Sequence, residues 1–496
     1  MTVSGDAPRL STQVSRGVAW AAASQAIIAI TDLVSYAIVV ALLVSTDELG
    51  VAGTAMALWA LLDTAADFGV TSALIQRDDH TPERVSTVFW FNVIVSGGLF
   101  LLLLGIGPLY GYILETPIVG WLLIAYGAKL LLQNVYAIPF ALLRKELRFD
   151  DIAKARIIAH SLESIGRVVY AALGATVWCW TLAALTRAFV FGLVIQIRHP
   201  FVPMFVFRVR EVLPYVKFGL RTAASQILFR LYVSIDQTIA LYYFGTDLAG
   251  VYALGVYLVL EPVKTISNVV IDVAFPAFAR LRSDREGLAA QLIQFTRLNV
   301  LAVLPFLVVL WLVVPEILSL FVSAERGWTP EYVAACVNVT RVLAIVGTLR
   351  ALGYLGPPLL DGVGRPELTL RYMIVATIAV PGSFIVSSNL LGDSIGVESI
   401  AIAWAAGYPI AFAALGYLVV RTIDLPLRQY AKGTWGVVAC CLAGFVAGLG
   451  ASAAMTTAPP VARLLGISAT ALAVTFLLVA YWQKITPRSV ARALKG

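Results

Sequence analysis

At 496 residues, 60% hydrophobic and only 13% charged, with a mean hydropathy of +0.87, the chain is too apolar for a water-soluble fold of its length. That composition specifies a polytopic membrane protein. The formal charge of +7 fits basic loops on one side of a membrane and needs no nucleic-acid partner, and the four scattered cysteines, without CxxC spacing, support neither a disulfide framework nor a zinc site.

The first seventeen residues, MTVSGDAPRLSTQVSRG, are polar and hold no apolar core with a cleavage site, so the first span is expected to do the targeting. Crossing about 30 Å of hydrocarbon takes roughly 20 mostly apolar residues. About fourteen such stretches follow, near 17–44, 49–75, 86–113, 117–143, 153–174, 178–197, 216–243, 249–275, 298–322, 333–360, 369–390, 397–420, 433–453 and 461–482. The even-numbered connections carry nearly all the loop arginines and lysines, among them Arg144, Lys145, Arg148, Arg208, Arg210, Arg280, Arg282 and Arg285. The odd-numbered ones carry only Arg326 and Arg463. Both termini are therefore expected on the cytoplasmic side.

The connections are short, the longest being cytoplasmic segments near 198–216 and 276–297, which are candidates for amphipathic surface helices. No extramembrane domain fits, and no GxxxxGK[ST] loop is present, which excludes a fused nucleotidase and weighs against an enzyme with a large external catalytic loop.

One unit is written twice. TDELGVA at 46–52 reappears as TDLAGVY at 246–252, and AASQ at 22–25 reappears at 223–226. Both pairs place Thr-Asp at an outer turn between an opening helix and an Ala/Gly/Leu-rich second helix. The expected fold is an all-α integral membrane protein of about 14 transmembrane helices, in two parallel six-helix lobes related by a pseudo-two-fold repeat. Its parts are a cytoplasmic segment 1–16, an N-terminal lobe 17–197, a linker 198–215, a C-terminal lobe 216–420, an extra C-terminal helix hairpin 433–482 and a basic tail 483–496.

Ionisable groups inside spans are costly, so each is a candidate for function. Gln226, Arg230, Ser234 and Gln237 form one stripe on span seven, and Tyr257, Glu261, Lys264, Asn268 and Asp272 form one on span eight. Span one groups Ser24, Gln25, Asp32, Ser35 and Tyr36, and span two places Asp63 and Asp67 one turn apart. Lys129 with Gln133 and Tyr136 stripes span four, Arg187 lies in span six, and Arg341 and Arg350 occupy different faces of span ten. The substrate-binding candidates are Arg230, Lys264, Gln226, Gln237, Asn268, Lys129 and Arg341, because guanidinium, ammonium and amide groups suit phosphate oxygens and sugar hydroxyls. The coupling or charge-partner candidates are Asp32, Asp63, Asp67, Asp236, Glu261 and Asp272. Two pairings compete with these roles: Glu261 with Lys264, and Arg230 with Asp236 or Asp32. Glu163, Arg167 and His160 on span five read as a paired structural cluster, and Pro262 reads as a helix hinge or a local bend.

LGVAGTAMAL, DFGVTSALIQ, LYVSIDQTIALYYFGTDLAGVYALGVYL, VAFPAFARLRSD and LLDGVGRP, spread over the first 370 residues, resemble the Wzx-type polysaccharide exporters of the multidrug/oligosaccharidyl-lipid/polysaccharide superfamily. That resemblance implies a V-shaped pair of lobes around a central cavity and a non-enzymatic flippase. Its substrate would be an undecaprenyl-diphosphate-linked oligosaccharide, moved outward by alternating access for exopolysaccharide or lipopolysaccharide synthesis. The partners it implies are that lipid-linked sugar, membrane lipids, a coupling Na+ or H+, and polysaccharide polymerase and assembly proteins; it implies no cofactor, metal or nucleic acid. The alternatives are a multidrug cation antiporter of the same superfamily, or a membrane-embedded polysaccharide polymerase or ligase.

Overall fold

The computed structural model describes residues 7–67, 81–146 and 148–484, with the side chains of 7–23, 26, 64–67, 149 and 210–225 left outside that description. The described chain is helical apart from short turns and the extended stretch 199–208. In order, α1 is Ala7–Leu42, α2 Thr46–Asp67, α3 Pro82–Ile113, α4 Pro117–Lys145, α5 Phe149–Ala172, α6 Cys179–Arg198 and α7 Val209–Arg280. There follow α8 Arg285–Phe321, α9 Pro330–Gly353, the short α10 Gly356–Gly362, α11 Pro366–Ile395, α12 Glu398–Ile423, α13 Leu427–Ala454 and α14 Pro460–Trp482.

Where they are described, the fourteen expected stretches fall mainly on helix, the tenth being interrupted by a turn at 354–355. Among the described residues, ten helices are long and apolar enough to cross a membrane. One of them, Gln226–Arg280, has 55 residues. At 1.5 Å per residue it would reach about 80 Å, too long for a single crossing of about 30 Å. It is interrupted at Gly245, whose φ of 77° and ψ of −179° no helix accommodates. Expected spans one, two and five are not among the ten. The described apolar run of α1, Ile27–Leu42, is shorter, α2 holds Asp47, Glu48 and Asp63, and α5 is crowded with charge from Asp150 to Arg167.

The chain divides into two compact units, Met1–Tyr242 and Tyr243–Gly496. In the first, α1 lies along α5, α3 along α4, and α6 against α4 and α5, while α2 packs on α4. Small residues let these helices close up, as expected where lipid gives no hydrophobic drive between helices: a Cβ on Gly120 of α4 would overlap the Gly107 carbonyl of α3. Thr54 of α2 meets the first arm of α7, its Oγ1 donating to the Gln237 carbonyl at 3.4 Å.

In the second unit, α11 packs on α12, α9 on α8 and α12, and the hairpin α13–α14 on α8. That hairpin shares a core with α8 through Val300, Leu304, Val308, Leu312, Val437, Cys441, Ile467 and Ala471. Gly444 and Gly448, four apart, face Ala471 and Leu312 with no room for a Cβ. A buried ion pair closes the same contact: Arg463 Nε of α14 lies 2.8 Å from Glu316 Oε1 of α8.

Both copies of the repeated turn mark a helix break. In the first, the Glu48 carboxylate reaches back over the start of α2 to Ser45, its Oε2 accepting from the Ser45 N–H at 3.0 Å and from the Ser45 hydroxyl at 2.9 Å. Glu48 Oε1 also accepts from Thr176, in the turn between α5 and α6. In the second, the position before Thr246-Asp247 is Gly245, and its positive φ makes the break directly.

Linker 198–215 is not the surface helix its composition suggested. Residues 199–208 are non-helical and α7 begins at Val209. Side chains of α3 hold this stretch by its backbone: Trp90 Nε1 donates to the Met204 carbonyl at 2.8 Å, Ser86 Oγ accepts from the Met204 N–H at 3.0 Å, and Thr87 Oγ1 donates to the Val206 carbonyl at 3.4 Å. Segment 276–297 is divided between the end of α7 and the start of α8 by a turn at 281–284.

Candidate functional site

In the first unit the intramembrane charges form three linked pairs across α1, α2, α4, α5 and α6. Arg167 of α5 reaches Asp32 of α1 at 2.6 Å and donates to Ser35 Oγ at 3.1 Å. Glu163, one turn earlier on α5, turns to α6 and pairs with Arg187 at 3.4 Å, with His160 Nδ1 at 3.1 Å. The expected Glu163, Arg167 and His160 cluster keeps its Glu163–His160 contact within α5, while Arg167 turns to α1 and Glu163 also reaches α6. Lys129 of α4 is buried 4.0 Å from Asp63 of α2, which also accepts from Gln133 Nε2 at 2.6 Å. The Lys129 ammonium sits 4.7 Å over the Trp59 ring, itself stacked on Tyr126. Asp32 and Asp63 keep 39% and 38% of their side chains exposed, so the acidic members open outward while Arg167 and Lys129 are buried. Asp67 and Arg221 have side chains outside the described residues.

The first arm of α7 carries the span-seven stripe. Gln226 is exposed, Arg230 and Ser234 are part-buried, and Asp236 and Gln237 are buried. Asp236 Oδ1 accepts from the Gln237 N–H at 2.8 Å. Asp32 is engaged by Arg167. Arg230 has no hydrogen-bond or ion-pair partner among the described residues.

In the second unit, Lys264 Nζ bonds both oxygens of Glu261, at 2.8 and 2.6 Å, one turn away on the same helix. Glu261, Asn268 and Asp272 are exposed and Tyr257 is part-buried, so the span-eight stripe lies open along its helix. Arg341 is in neither stripe. Its guanidinium lies 4.4 Å over the Trp311 ring and its Nε donates to the Trp311 carbonyl at 3.3 Å. That carbonyl is four residues before Pro315, which has no N–H to return to it. Arg350, buried, packs over Trp404 and Tyr354, with Nη2 3.2 Å from the Tyr354 hydroxyl.

Three polar contacts escaped the sequence reading. The break between α9 and α10 frees carbonyls of Ala351 and Leu352, which accept from Asn299 Nδ2 at 2.6 Å and the Tyr430 hydroxyl at 3.4 Å. Glu316, a lone carboxylate in an apolar span, pairs with Arg463, one of only two basic residues on the odd-numbered connections. That coincidence of two isolated opposite charges was the available signal. Among the described residues, no three His, Cys, Asp or Glu side chains converge as a metal site requires.

A family model described as "Polysaccharide biosynthesis protein" matches residues 39–330. The teichuronic acid biosynthesis protein TuaB of Bacillus subtilis is 27% identical over 370 residues, 74% of each chain. The lipopolysaccharide biosynthesis protein WzxC of Escherichia coli is 25% identical over 431 residues, covering 84% of this chain and 80% of its own. Among solved structures, the lipid II flippase MurJ, in an inward closed conformation, matches with a TM-score of 0.68 at 14% identity, covering 94% of this chain and 98% of its own. An inward-facing multidrug resistance MATE family transporter of the MOP superfamily matches with a TM-score of 0.62 at 18% identity, covering 81% and 95%. At these identities the structural likeness is one of fold.

Proposed function

The chain belongs to the polysaccharide biosynthesis protein family, and on that premise we propose that it flips undecaprenyl-diphosphate-linked oligosaccharide from the cytoplasmic to the outer leaflet of a bacterial inner membrane. The observation that carries this reading is the exposure of polar stripes on membrane-crossing helices. Gln226 and Arg230 in the first unit, and Glu261, Lys264, Asn268 and Asp272 in the second, cannot face hydrocarbon at acceptable cost, so they face water or a polar headgroup. Relatives named for teichuronic acid and lipopolysaccharide biosynthesis support a lipid-linked sugar as cargo.

In this reading the chain crosses the membrane fourteen times, with 17–197 and 216–420 as the repeated lobes and both termini cytoplasmic. Substrate contact is assigned first to Arg230, which has no neutralising partner among the described residues, with the exposed Gln226 and Asn268 reaching sugar hydroxyls and the buried Gln237 contributing only when its helix opens. Lys264 and Lys129 contribute only when the headgroup competes with Glu261 and Asp63. Arg341 is the weakest of the seven, because it is occupied by Trp311. Alternating access moves the headgroup while the polyprenyl tail stays in lipid. The drive is a Na+ or H+ gradient acting on Asp32, Asp63, Asp67 or Asp236, or the membrane potential acting on the anionic headgroup at about 2.3 kcal/mol per charge per 100 mV. The chain is read as a transporter and not as an enzyme, working beside a polymerase and assembly proteins.

Transfer of a fluorescent undecaprenyl-diphosphate oligosaccharide between leaflets of proteoliposomes tests this. Acceleration over empty vesicles is expected, and Arg230→Ala is expected to slow it while Lys154→Ala, at an exposed pair with Asp150, does not. Folded protein that leaves the rate unchanged sinks the reading. The MATE-like fold keeps a cation antiporter as the second reading, which predicts uptake of a lipophilic cation dye and no lipid transfer.

A further inference from the structure

We infer that the strap 201–209 is a fixed interfacial anchor that seats the first unit on anionic phospholipid at the arginine-bearing end of its helices. The strap does not fold its apolar side chains inward. Phe205 is 92% exposed and Val202 84%, with Met204, Phe207 and Val209 also exposed. A loop bathed in water has no reason to present five apolar side chains, and a mobile one would not present them in a fixed direction. This one is held by its backbone, through Trp90, Ser86 and Thr87 of α3 and by Gln196 of α6, which donates to the Phe201 carbonyl.

Two further observations choose lipid as the occupant. In the chain the strap follows directly on α6, where Phe189, Leu193 and Ile197, at i, i+4 and i+8, are exposed on a helix long and apolar enough to cross the membrane. The strap is therefore the last step of a surface that already lies in lipid. It is also bracketed by exposed arginines, Arg198 before it and Arg208 within it, and Trp90 stacks on Phe205 at 5.5 Å. Aromatic rings at headgroup depth beside basic side chains are the composition of an interfacial anchor on an anionic surface. A protein partner would need a groove or a hydrogen-bonding edge, whereas the strap's carbonyls at Phe201, Met204 and Val206 are already taken. The inference does not depend on the cargo.

The test is spin-label depth measurement on the full chain in nanodiscs. Val202→Cys and Phe205→Cys, both at exposed positions, are labelled with a nitroxide; the four native cysteines are buried, and unsubstituted protein gives the background. Ser283→Cys, in the exposed turn before α8, is the aqueous reference. With phosphatidylglycerol present, collisions with dissolved oxygen are expected to exceed those with a water-soluble nickel chelate at 202 and 205, the reverse of the ratio at 283. Arg208→Glu, or nanodiscs of phosphatidylcholine alone, is expected to shift both labels toward the aqueous ratio. Nickel collisions at 202 and 205 equal to those at 283 overturn the anchor. Depth unchanged by Arg208→Glu and by lipid charge overturns the anionic headgroup as its ligand. Labels that are aqueous in nanodiscs but shielded in native membranes assign the patch to a protein partner and also overturn it.

Discussion

Breaking the Glu316–Arg463 pair would leave a charge inside the second unit with nothing to answer it. Glu316 is 7% exposed and Arg463 21%, and Arg463 also holds the Met455 carbonyl at 3.2 Å. Removing one member of a buried pair costs about 3–5 kcal/mol, whereas replacing both by apolar groups of similar volume is often neutral. Arg463→Met is therefore expected to lower the thermal unfolding midpoint in detergent by several degrees, and Glu316→Leu combined with Arg463→Met to recover most of that loss. A double variant as unstable as the single one would mean that packing, not charge, holds the hairpin there. Pairing of this kind was only partly legible. Helical spacing put Glu261 beside Lys264, and they do bond, because both partners lie on one helix. The same rule grouped Glu163 with His160 and Arg167: His160 does contact Glu163 from the same helix, but Arg167 turns to α1, and spacing within one helix cannot report a neighbour 132 residues away such as Ser35.

Helices were legible because hydrocarbon admits few alternatives to them: a run of twenty apolar residues must satisfy its own backbone. The non-helical stretch 199–208 was not, since its geometry comes from α3 side chains more than a hundred residues earlier and leaves no periodic mark in its own sequence. The repeated turn lies between these cases. Its letters announce a break, but the two copies break differently, by a Ser45–Glu48 cap in one and by backbone conformation in the other. Gly245 at φ 77° and ψ −179° occupies a region essentially reserved for glycine, where other residues cost about 1–3 kcal/mol. A Cβ there meets nothing within 4 Å, so the penalty is conformational and not steric. Gly245→Ala and Gly245→Val are then expected to destabilise by similar amounts in thermal unfolding. Gly450→Ala, equally open but within α13, is expected to be neutral or slightly stabilising, because alanine is the better helix former. A much larger loss for Gly245→Val than for Gly245→Ala would show that the site is crowded after all.

For the whole molecule, the distribution of arginine and lysine is a stronger guide than hydropathy alone, because it links every connection to every other. If the chain crosses fourteen times with both ends inside, connections alternate without exception, and a single missed or added crossing inverts all that follow. Exposed positions are available on both sets: Ser323, Ser394 and Thr457 on connections expected outside, and Ser283 and Gln429 on those expected inside. Cysteine at each, one at a time, should divide cleanly when spheroplasts are treated with a membrane-impermeant maleimide. Ser323→Cys, Ser394→Cys and Thr457→Cys are expected to react in intact spheroplasts, and Ser283→Cys and Gln429→Cys only after permeabilisation. The buried native cysteines keep the background low. Reversal at Ser394, Gln429 and Thr457, with Ser283 and Ser323 unchanged, would place an error between α9 and α11, where the helix breaks at Gly353 and two α9 carbonyls are held by Asn299 and Tyr430. Reversal at every position would keep the fold but turn the protein over, and the proposed outward direction of transfer would then have the basic ends of its helices on the wrong side of the membrane.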